Sequence, residues 1–570
     1  MIRSGHIAAW ALVLWGACSA VATAQGLPDG PLSPADIANR AFVSAQTAQA
    51  SVAGQALAAA AARLAVGAGP LAQALRERQD LEAEVAGLGA RLATASTGNN
   101  AVAEAAVRAL EAELTQSADR LAALDARIDA EFPEYRALTR PAPLGVAALQ
   151  ALLGPDEALV MTLTAADATF VWAVSPTASG WYQADLGHNA VAAAVSTLRR
   201  DLGGAAADAR GAAALDGTDG PRGRSFDRST AHALYRDLFG PLDSIIAGAG
   251  HLMVVADGPL TSLPFGLLVT APPEGADDDP DALRSTPWLI RRQAVTTLPA
   301  VSGLATLRRA IPPRGDAAPG FVGFGDPLLG YRAPDGDTAP VVMAALDAGA
   351  TVVTRGVYDD IRRVADLAPL PNTARELRAL ARTVGQGNAR LYLGADATEA
   401  QVKATDLSGA TVVAFATHGL LTGGLPGLDE PALVFTPPHE PTALDDALLT
   451  ASEAAELHLA ADLIILSACD TAGGDGTPGA EGLSGLARAF IYAGARAILV
   501  SHWPVDDYAA SQLTVRMLQG MYGPDHQPRA QALRASMLAL MDQPGDRFAH
   551  PAIWAPFVVV GEGGADRFTR

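Results

Sequence analysis

Lysine and cysteine are almost missing from this chain of 570 residues: Lys403 is the sole lysine, and Cys18 and Cys469 are the only cysteines. Two cysteines cannot build a disulfide scaffold. No tightly spaced ligand pair accompanies Cys469, so a zinc site made with His439, His458 or His502 is excluded and no metal or cofactor is expected. Arginine carries the positive charge instead, which reads as a composition bias of the genome and not as a mechanism. The formal net charge is −20, which argues against a nucleic-acid partner, because phosphate backbones are bound by clustered positive charge. There is no G-x-S-x-G elbow and no phosphate-binding P-loop, so serine hydrolase and nucleotidase readings have no foothold. Aromatic residues make up only 5%, yet 49% of the chain is apolar and 18% charged, the composition of a globular protein. Its length exceeds one ordinary core, so two or more domains are expected.

The first residues read as an export signal. Arg3 gives a short basic start, Ile7 to Val21 is apolar, and Ala22, Thr23 and Ala24 form a small-x-small cleavage site before Gln25. The apolar run is too short for a comfortable membrane span, and no span is expected in the mature chain. Cys18 raises lipidation, but Trp15 stands where bacterial lipidation sites usually carry leucine. Cleavage after Ala24 and a periplasmic or secreted protein are the expectation. The mature chain then holds one thiol, Cys469, in a compartment where cysteines normally pair. Such a thiol is either buried and inert or does chemistry.

Residues 33–140 read as helical. Leu81, Val85, Leu88 and Leu92 recur at helical spacing, and after the turn-like residues 97–100 so do Val107, Leu110, Leu114, Leu121, Leu124 and Ile128. These predict an antiparallel helical hairpin after an earlier helix over 35–66, with room for one degenerate TPR-like repeat. Pro141 and Pro143 mark a boundary, beyond which 141–570 reads as one domain. Apolar strands are predicted at Leu159–Leu163, Phe170–Val174, Leu252–Val255, Phe321–Phe324, Thr411–Ala416, Leu463–Leu466, Ala497–Val500 and Phe557–Val560. Several are continuously apolar, which predicts a three-layer αβα domain with a mainly parallel sheet covered on both faces. Gly203–Gly223, Pro272–Asp281 and Leu421–Asp446 read as surface loops.

Two strand ends stand out. One runs from Thr411 through Ala416 into Thr417, His418 and Gly419; the other runs from Leu463 through Leu466 into Ser467, Ala468 and Cys469. Carboxyl ends of parallel strands form the ligand crevice of open α/β sheets. If the two strands are neighbours, His418 and Cys469 meet there. A histidine about 50 residues before a cysteine is also a caspase-like spacing. An adjacent imidazole raises the thiolate fraction of a cysteine, and the thiolate can attack a peptide carbonyl. The backbone N–H groups of Gly419 and Cys469 are placed to stabilise the resulting oxyanion.

The blocks FATHG over 415–419 and LSACDT over 466–471 closely resemble the CHAT family, bacterial relatives of caspases and separase. The likeness continues at 485–490, 493–495, 503–507 and 550–557, and upstream at Asp257, Gly258, Leu263 to Phe265, Leu370, Pro371, Glu376 and Leu377. It implies a caspase-type fold and a cysteine endopeptidase with Cys469 as nucleophile and His418 as base. It also implies a protein or peptide substrate, with the N-terminal helices recruiting a regulatory partner. Asp470 follows the cysteine where glutamate is common, a minor departure. In some relatives an acid two residues before the cysteine favours a basic residue at the cleavage site; Ser467 stands there, so that position gives no support for it.

Singly, His418 would be a core histidine and Cys469 a small buried apolar residue. Together, within these blocks, they read as a catalytic dyad. Asp470, Asp506 and Asp507 read as caps, His439, His458 and His502 as incidental, and Trp503 and Trp554 as packing anchors. The alternative function is a caspase-like scaffold without turnover that uses the helical hairpin as its binding surface.

Overall fold

The computed structural model describes residues 36–49, 101–131, 143–210, 225–309, 320–329, 372–384, 388–420, 430–438, 445–467, 485–503 and 507–564, with single positions between them. The expected leader over 1–24 and Cys469, within 468–484, lie outside the described residues.

The strands are β1 (Glu157–Thr164), β2 (Thr169–Val174), β3 (Ser179–Ala184), β4 (His251–Val255), β5 (Ala294–Thr297), β6 (Phe321–Gly325), β7 (Ala389–Leu393) and β8 (Val412–Ala416). They continue with β9 (Gly419–Leu420), β10 (Ala432–Val434), β11 (Leu448–Thr450), β12 (Leu463–Leu466), β13 (Ala497–Ser501) and β14 (Phe557–Gly561). Eleven of them form one sheet in the order β3-β2-β1-β4-β5-β14-β13-β12-β8-β6-β7, and β11-β10-β9 form a small second sheet. β1, β4, β5 and β14 run one way. β13, β12, β8, β6 and β7 run parallel to each other in the opposite sense, joined to the first set by the antiparallel pair β13–β14. The sheet is mainly parallel, as the apolar runs predict, but it is made of two parallel halves facing opposite ways.

Both faces are buried, which explains why the inner strands carry no polar alternation. In β8, Val412, Ala414 and Ala416 enter one core while Val413 and Phe415 enter the other. In β4, Leu252 and Val254 face one side, Met253 and Val255 the other. Helices Arg228–Leu238, Thr373–Val384, Asp507–Tyr522 and Arg529–Met541 supply the first outer layer. Helices Ala451–Ala455 and Gly485–Tyr492 cover the second face of one half, while 36–49, Val146–Leu152 and Val301–Arg309 cover that of the other. This is the expected three-layer architecture. Trp503 and Trp554 are buried anchors; their indole N–H groups donate to the carbonyls of Ala552 and Ala549 at 2.9 and 3.2 Å.

The amino-terminal region is partly a hairpin. Helix Ala101–Glu131 meets residues 77–78 through Arg78–Asp125 at 2.7 Å and Arg127–Glu77 at 3.0 Å, the pairing of an antiparallel fold-back. The helix 36–49 instead packs on the large sheet: Phe42 is fully buried against Trp172, and Gln46 and Gln49 donate to the carbonyls of Leu144 and Thr162 at 2.8 and 2.6 Å. Two expected surface loops contain more order than glycine and proline suggest. Leu421–Asp446 includes buried β10. Pro272–Asp281 is organised by the buried Arg228 guanidinium, which pairs with Asp277 at 2.6 Å and donates to the carbonyls of Glu274 and Gly275. Helix His188–Arg210 also runs through the start of the expected Gly203–Gly223 loop. Among the described residues no helix is long and apolar enough to cross a membrane.

The small sheet is tied to the large one by the only lysine. Helix Glu399–Ala404 precedes β8, and its Glu399 carboxylate takes Lys403 on one oxygen and the Asp446 N–H on the other at 2.8 Å. Lys403 also reaches Glu453 at 2.8 Å, which closes a capping box with Thr450 at the end of β11. Burial pushes Glu399 up to about 7, reinforced by the Glu453 charge and only partly offset by Lys403. A carboxyl raised on folding contributes stability that is fully present below its unfolded value and is lost as pH rises through about 7. Glu399→Gln should therefore match wild type near pH 5 and become relatively more stable by pH 8, by on the order of 3 kcal/mol. Denaturant unfolding at both pH values checks this; a wild-type-minus-variant difference that does not change with pH would refute it.

Candidate active site

The carboxyl ends of β6, β8 and β12 lie side by side at one edge of the sheet. β12 pairs in parallel with β8 as Leu463↔Val412 through Leu466↔Phe415, and the Ser467 N–H extends the ladder to the Phe415 carbonyl at 2.9 Å. In the sequence His418 follows Phe415 by three residues and Cys469 follows Leu466 by three, and Phe415 and Leu466 are the last pair of the matched register. The neighbour relation on which the dyad reading depends is present. Cys469 itself lies outside the described residues.

His418 is half-buried. Its backbone is fixed by β10: the Val434 N–H donates to the His418 carbonyl at 2.9 Å, and the buried Thr417 hydroxyl donates to the Val434 carbonyl. The following residues pair as Gly419↔Leu433 and Leu420↔Ala432. Antiparallel pairs alternate between bonded and non-bonded. With His418–Val434 bonded, Gly419–Leu433 is a non-bonded pair, and the Gly419 N–H points away from β10. β9 is the outer strand of its sheet, so among the described residues no strand lies on that side.

Beneath the strand ends runs an aromatic column. Phe415 stacks on Phe324 with centroids 5.5 Å apart and meets Phe490 at 5.2 Å, while Phe324 stacks on Tyr392 at 5.0 Å. Above them lies helix Thr373–Val384, packed so closely that glycine is required in β6. A Cβ on Gly325 would stand 2.6 Å from the Ala416 carbonyl oxygen and 2.7 Å from Leu377. Just after β6 comes Asp326, whose φ of 54° is uncommon outside glycine, and whose N–H donates to the Thr373 hydroxyl at 3.1 Å.

The close fit delivers a residue to which the motif pattern assigns no role. Glu376, in the first turn of that helix, is 8% exposed, and its carboxylate accepts from the Ser467 hydroxyl at 3.1 Å. The signal was available in the sequence only as an acid inside the resembling block around Leu370 and Leu377.

The other candidates separate from this edge. His502 is buried, and burial together with the Arg199 charge pushes it down to about 3, so it stays neutral and is poorly suited to basic catalysis. His458 is exposed; His439, Asp470 and Asp506 lie outside the described residues. Asp507 begins helix Asp507–Tyr522. Asp257 follows β4 at the opposite edge of the sheet, where its carboxylate takes the Thr164 N–H at 2.7 Å and the Thr162 and Thr164 hydroxyls at 3.0 and 3.1 Å. Among the described residues no group of His, Cys, Asp and Glu could hold a metal ion.

A mixed α/β protein with a histidine-bearing strand end beside the strand that leads to a cysteine is the class defined by this fold. The CHAT domain family model matches residues 228–562, more than half of the chain, and the chain belongs to that family. It is similar to Tetratricopeptide repeat protein 28 of Mus musculus, 36% identical over 123 residues that make up 21% of this chain and 5% of that one. The Homo sapiens protein of the same name is 32% identical over 123 residues, 21% of this chain and 4% of that one. The chain thus spans about a twentieth of these relatives' length. Among solved structures it resembles the Saccharomyces cerevisiae separase–securin complex, with TM-score 0.39, 10% identity and coverage of 73% of this chain and 31% of that one. It also resembles the Arg-specific cysteine proteinase gingipain R, with TM-score 0.33, 11% identity and coverage of 66% and 75%.

Gly325→Val should cost about 1–3 kcal/mol, since the added atoms force apart the helix and the β8 end. Denaturant unfolding reads it directly; a variant within about 0.5 kcal/mol of wild type, the usual spread of neutral surface changes, would mean the helix has room to shift.

Proposed function

We propose that this protein is a cysteine endopeptidase in which Cys469 is the nucleophile and His418 the general base. The observation that carries the reading is the in-register pairing of β8 with β12, which brings two adjacent strand ends towards those residues. His418 takes the thiol proton, and the thiolate sulfur attacks the peptide carbonyl carbon. The N–H groups of Gly419 and Cys469 receive the charge that develops on the carbonyl oxygen. The C–N bond then breaks, the imidazolium gives its proton to the leaving amine, and a thioester remains. Water, losing a proton to the same imidazole, hydrolyses it and returns the thiol. The outward Gly419 N–H supports its part in this sequence.

The leader pattern supports export and cleavage after Ala24, which would place the enzyme in the periplasm or outside the cell. The N-terminal helices would dock a regulator or substrate; the curated relatives are named for a tetratricopeptide repeat, which supports a protein partner.

The first test uses the chain from Gln25 onward and its single thiol. Iodoacetamide should alkylate Cys469 quickly below pH 7, and His418→Ala should slow this about tenfold or more, returning the rate to that of an ordinary thiol titrating near ~8.5. Cys469→Ala should abolish cleavage of unfolded protein substrates with unfolding midpoint unchanged. Labelling that rises only near ~8.5 in both proteins, or cleavage retained by Cys469→Ala, would overturn the dyad and leave the scaffold reading standing.

A further inference from the structure

The large sheet has two outer strands, and they are finished differently. β7 carries Arg390, whose guanidinium donates to the Asp406 carbonyl at 2.7 Å, and a charge on an edge strand discourages further pairing. β3 has no such guard. Its six residues, Ser179 to Ala184, contain no charge and no proline, and they pair with β2 one for one without a bulge. The alternation of hydrogen bonds fixes which groups β3 leaves over. The Ala165 N–H donates to the Ala168 carbonyl and the Ser175 N–H to the Ala178 carbonyl, both at 2.8 Å. Counting in twos from these bonded pairs, Phe170, Trp172 and Val174 bond to β1, while Thr169, Val171 and Ala173 bond to Ala184, Tyr182 and Gly180 of β3. The N–H and C=O groups of Ser179, Trp181 and Gln183 therefore point outward from the sheet, and all three residues are exposed. Their backbones have no partner among the described residues. At the centre of this open edge Trp181 is 41% exposed and stacks on Trp172 with centroids 6.3 Å apart.

We propose that β3 is the docking edge for a second copy of this chain, the two β3 strands pairing antiparallel about a two-fold axis at Trp181. In that register Trp181 lies opposite itself and Ser179 opposite Gln183, so every outward N–H of one strand meets an outward C=O of the other. The stacked pair Trp172–Trp181 continues across the axis into its copy, and cross-strand aromatic pairs stabilise a sheet. Tryptophan is also a residue type that anchors interfaces. Charge points to the same strand. Each chain carries a formal net charge of −20, so two copies repel over most of their surface. Along β3 no carboxylate is brought opposite another, and the next acid in the chain, Asp185, falls opposite Thr177. A strand of six residues is only ~20 Å long and covers less than the ~800 Å² per partner of a stable interface. The association is therefore reversible, with a dissociation constant on the order of 10 μM. It does not depend on the chemistry proposed at Cys469.

The experiment is sedimentation velocity on the chain from Gln25, from about 1 to about 200 μM, a range that brackets that constant. Wild type should pass from monomer to dimer across it. Gln183→Pro removes one outward N–H and leaves the bonds to β2 in place, and Trp181→Lys sets two cations opposite each other. Each should weaken association about tenfold or more, with the unfolding midpoint measured alongside. A second measurement needs no variant: amide hydrogen exchange over 179–184 in wild type should be slower at the high end of the range than at the low end. A wild-type chain that stays monomeric throughout would overturn the proposal. So would a dimer that survives both substitutions, or one whose formation leaves exchange over 179–184 unchanged. Should a variant fail to fold, the exchange comparison on wild type decides.

Discussion

One antiparallel pairing determines where everything else lies. β13 and β14 join through five residue pairs, from Ala497↔Gly561 to Ser501↔Phe557. Every strand on the β14 side up to β1 runs one way, and every strand on the β13 side runs the other. The sheet is nevertheless a single apolar layer: one core runs continuously from Val160 and Leu252 to Val412 and Ile465. A sheet of this kind has two carboxyl-end edges, and the seam assigns each loop to one of them. β12 is bonded directly to β13, so the strand that leads to Cys469 takes its direction from that junction. Breaking the seam would therefore disturb the crevice.

The crevice is held from two sides by different physics. On one side close packing does the work, with glycine in β6 admitting a helix whose first turn reaches three strand ends. On the other side hydrogen bonds do it, as β10 receives the Thr417 hydroxyl at the Val434 carbonyl and donates the Val434 N–H to the His418 carbonyl. The bracket is anchored in turn by a network in which the buried Glu399 and the half-buried Glu453 share Lys403. A backbone held by a sheet and a helix held by packing are both rigid elements, which is what a site needs if its side chains are to keep their geometry.

Much of this architecture is legible in the chain, and the exceptions have physical causes. Inner strands such as β4, β8 and β12 are read easily because both their faces are buried, which leaves unbroken apolar runs. β3 and β7 are outer strands with exposed positions, and β5 has four residues ending in two threonines, so none leaves such a run. β10 escapes because three residues in a stretch rich in glycine and proline resemble a loop until a neighbouring strand end gives them partners. The reversal at β13–β14 is invisible for another reason: an apolar run fixes burial, not direction. The position of His418 relative to the strand of Cys469 follows from the motif, whereas Glu376 reaches Ser467 across 91 residues of chain through a helix-packing distance that no local pattern encodes.

The two edges of the sheet also show why a strand end followed by glycine does not by itself define chemistry. β4 leads to Asp257 and Gly258, and β8 leads to His418 and Gly419, after equally buried strands. At the β4 end the side chain is consumed by structure: Asp257 takes three donors from β1, and its burial raises the carboxyl, with those hydrogen bonds working against the rise. That acid serves as a strut between β1 and β4. At the β8 end the neighbouring sheet holds the main chain, through the His418 carbonyl, and the Thr417 hydroxyl. The backbone beside the half-buried His418 is thus fixed, and a rigid backbone is what a site needs if its side chains are to keep their geometry.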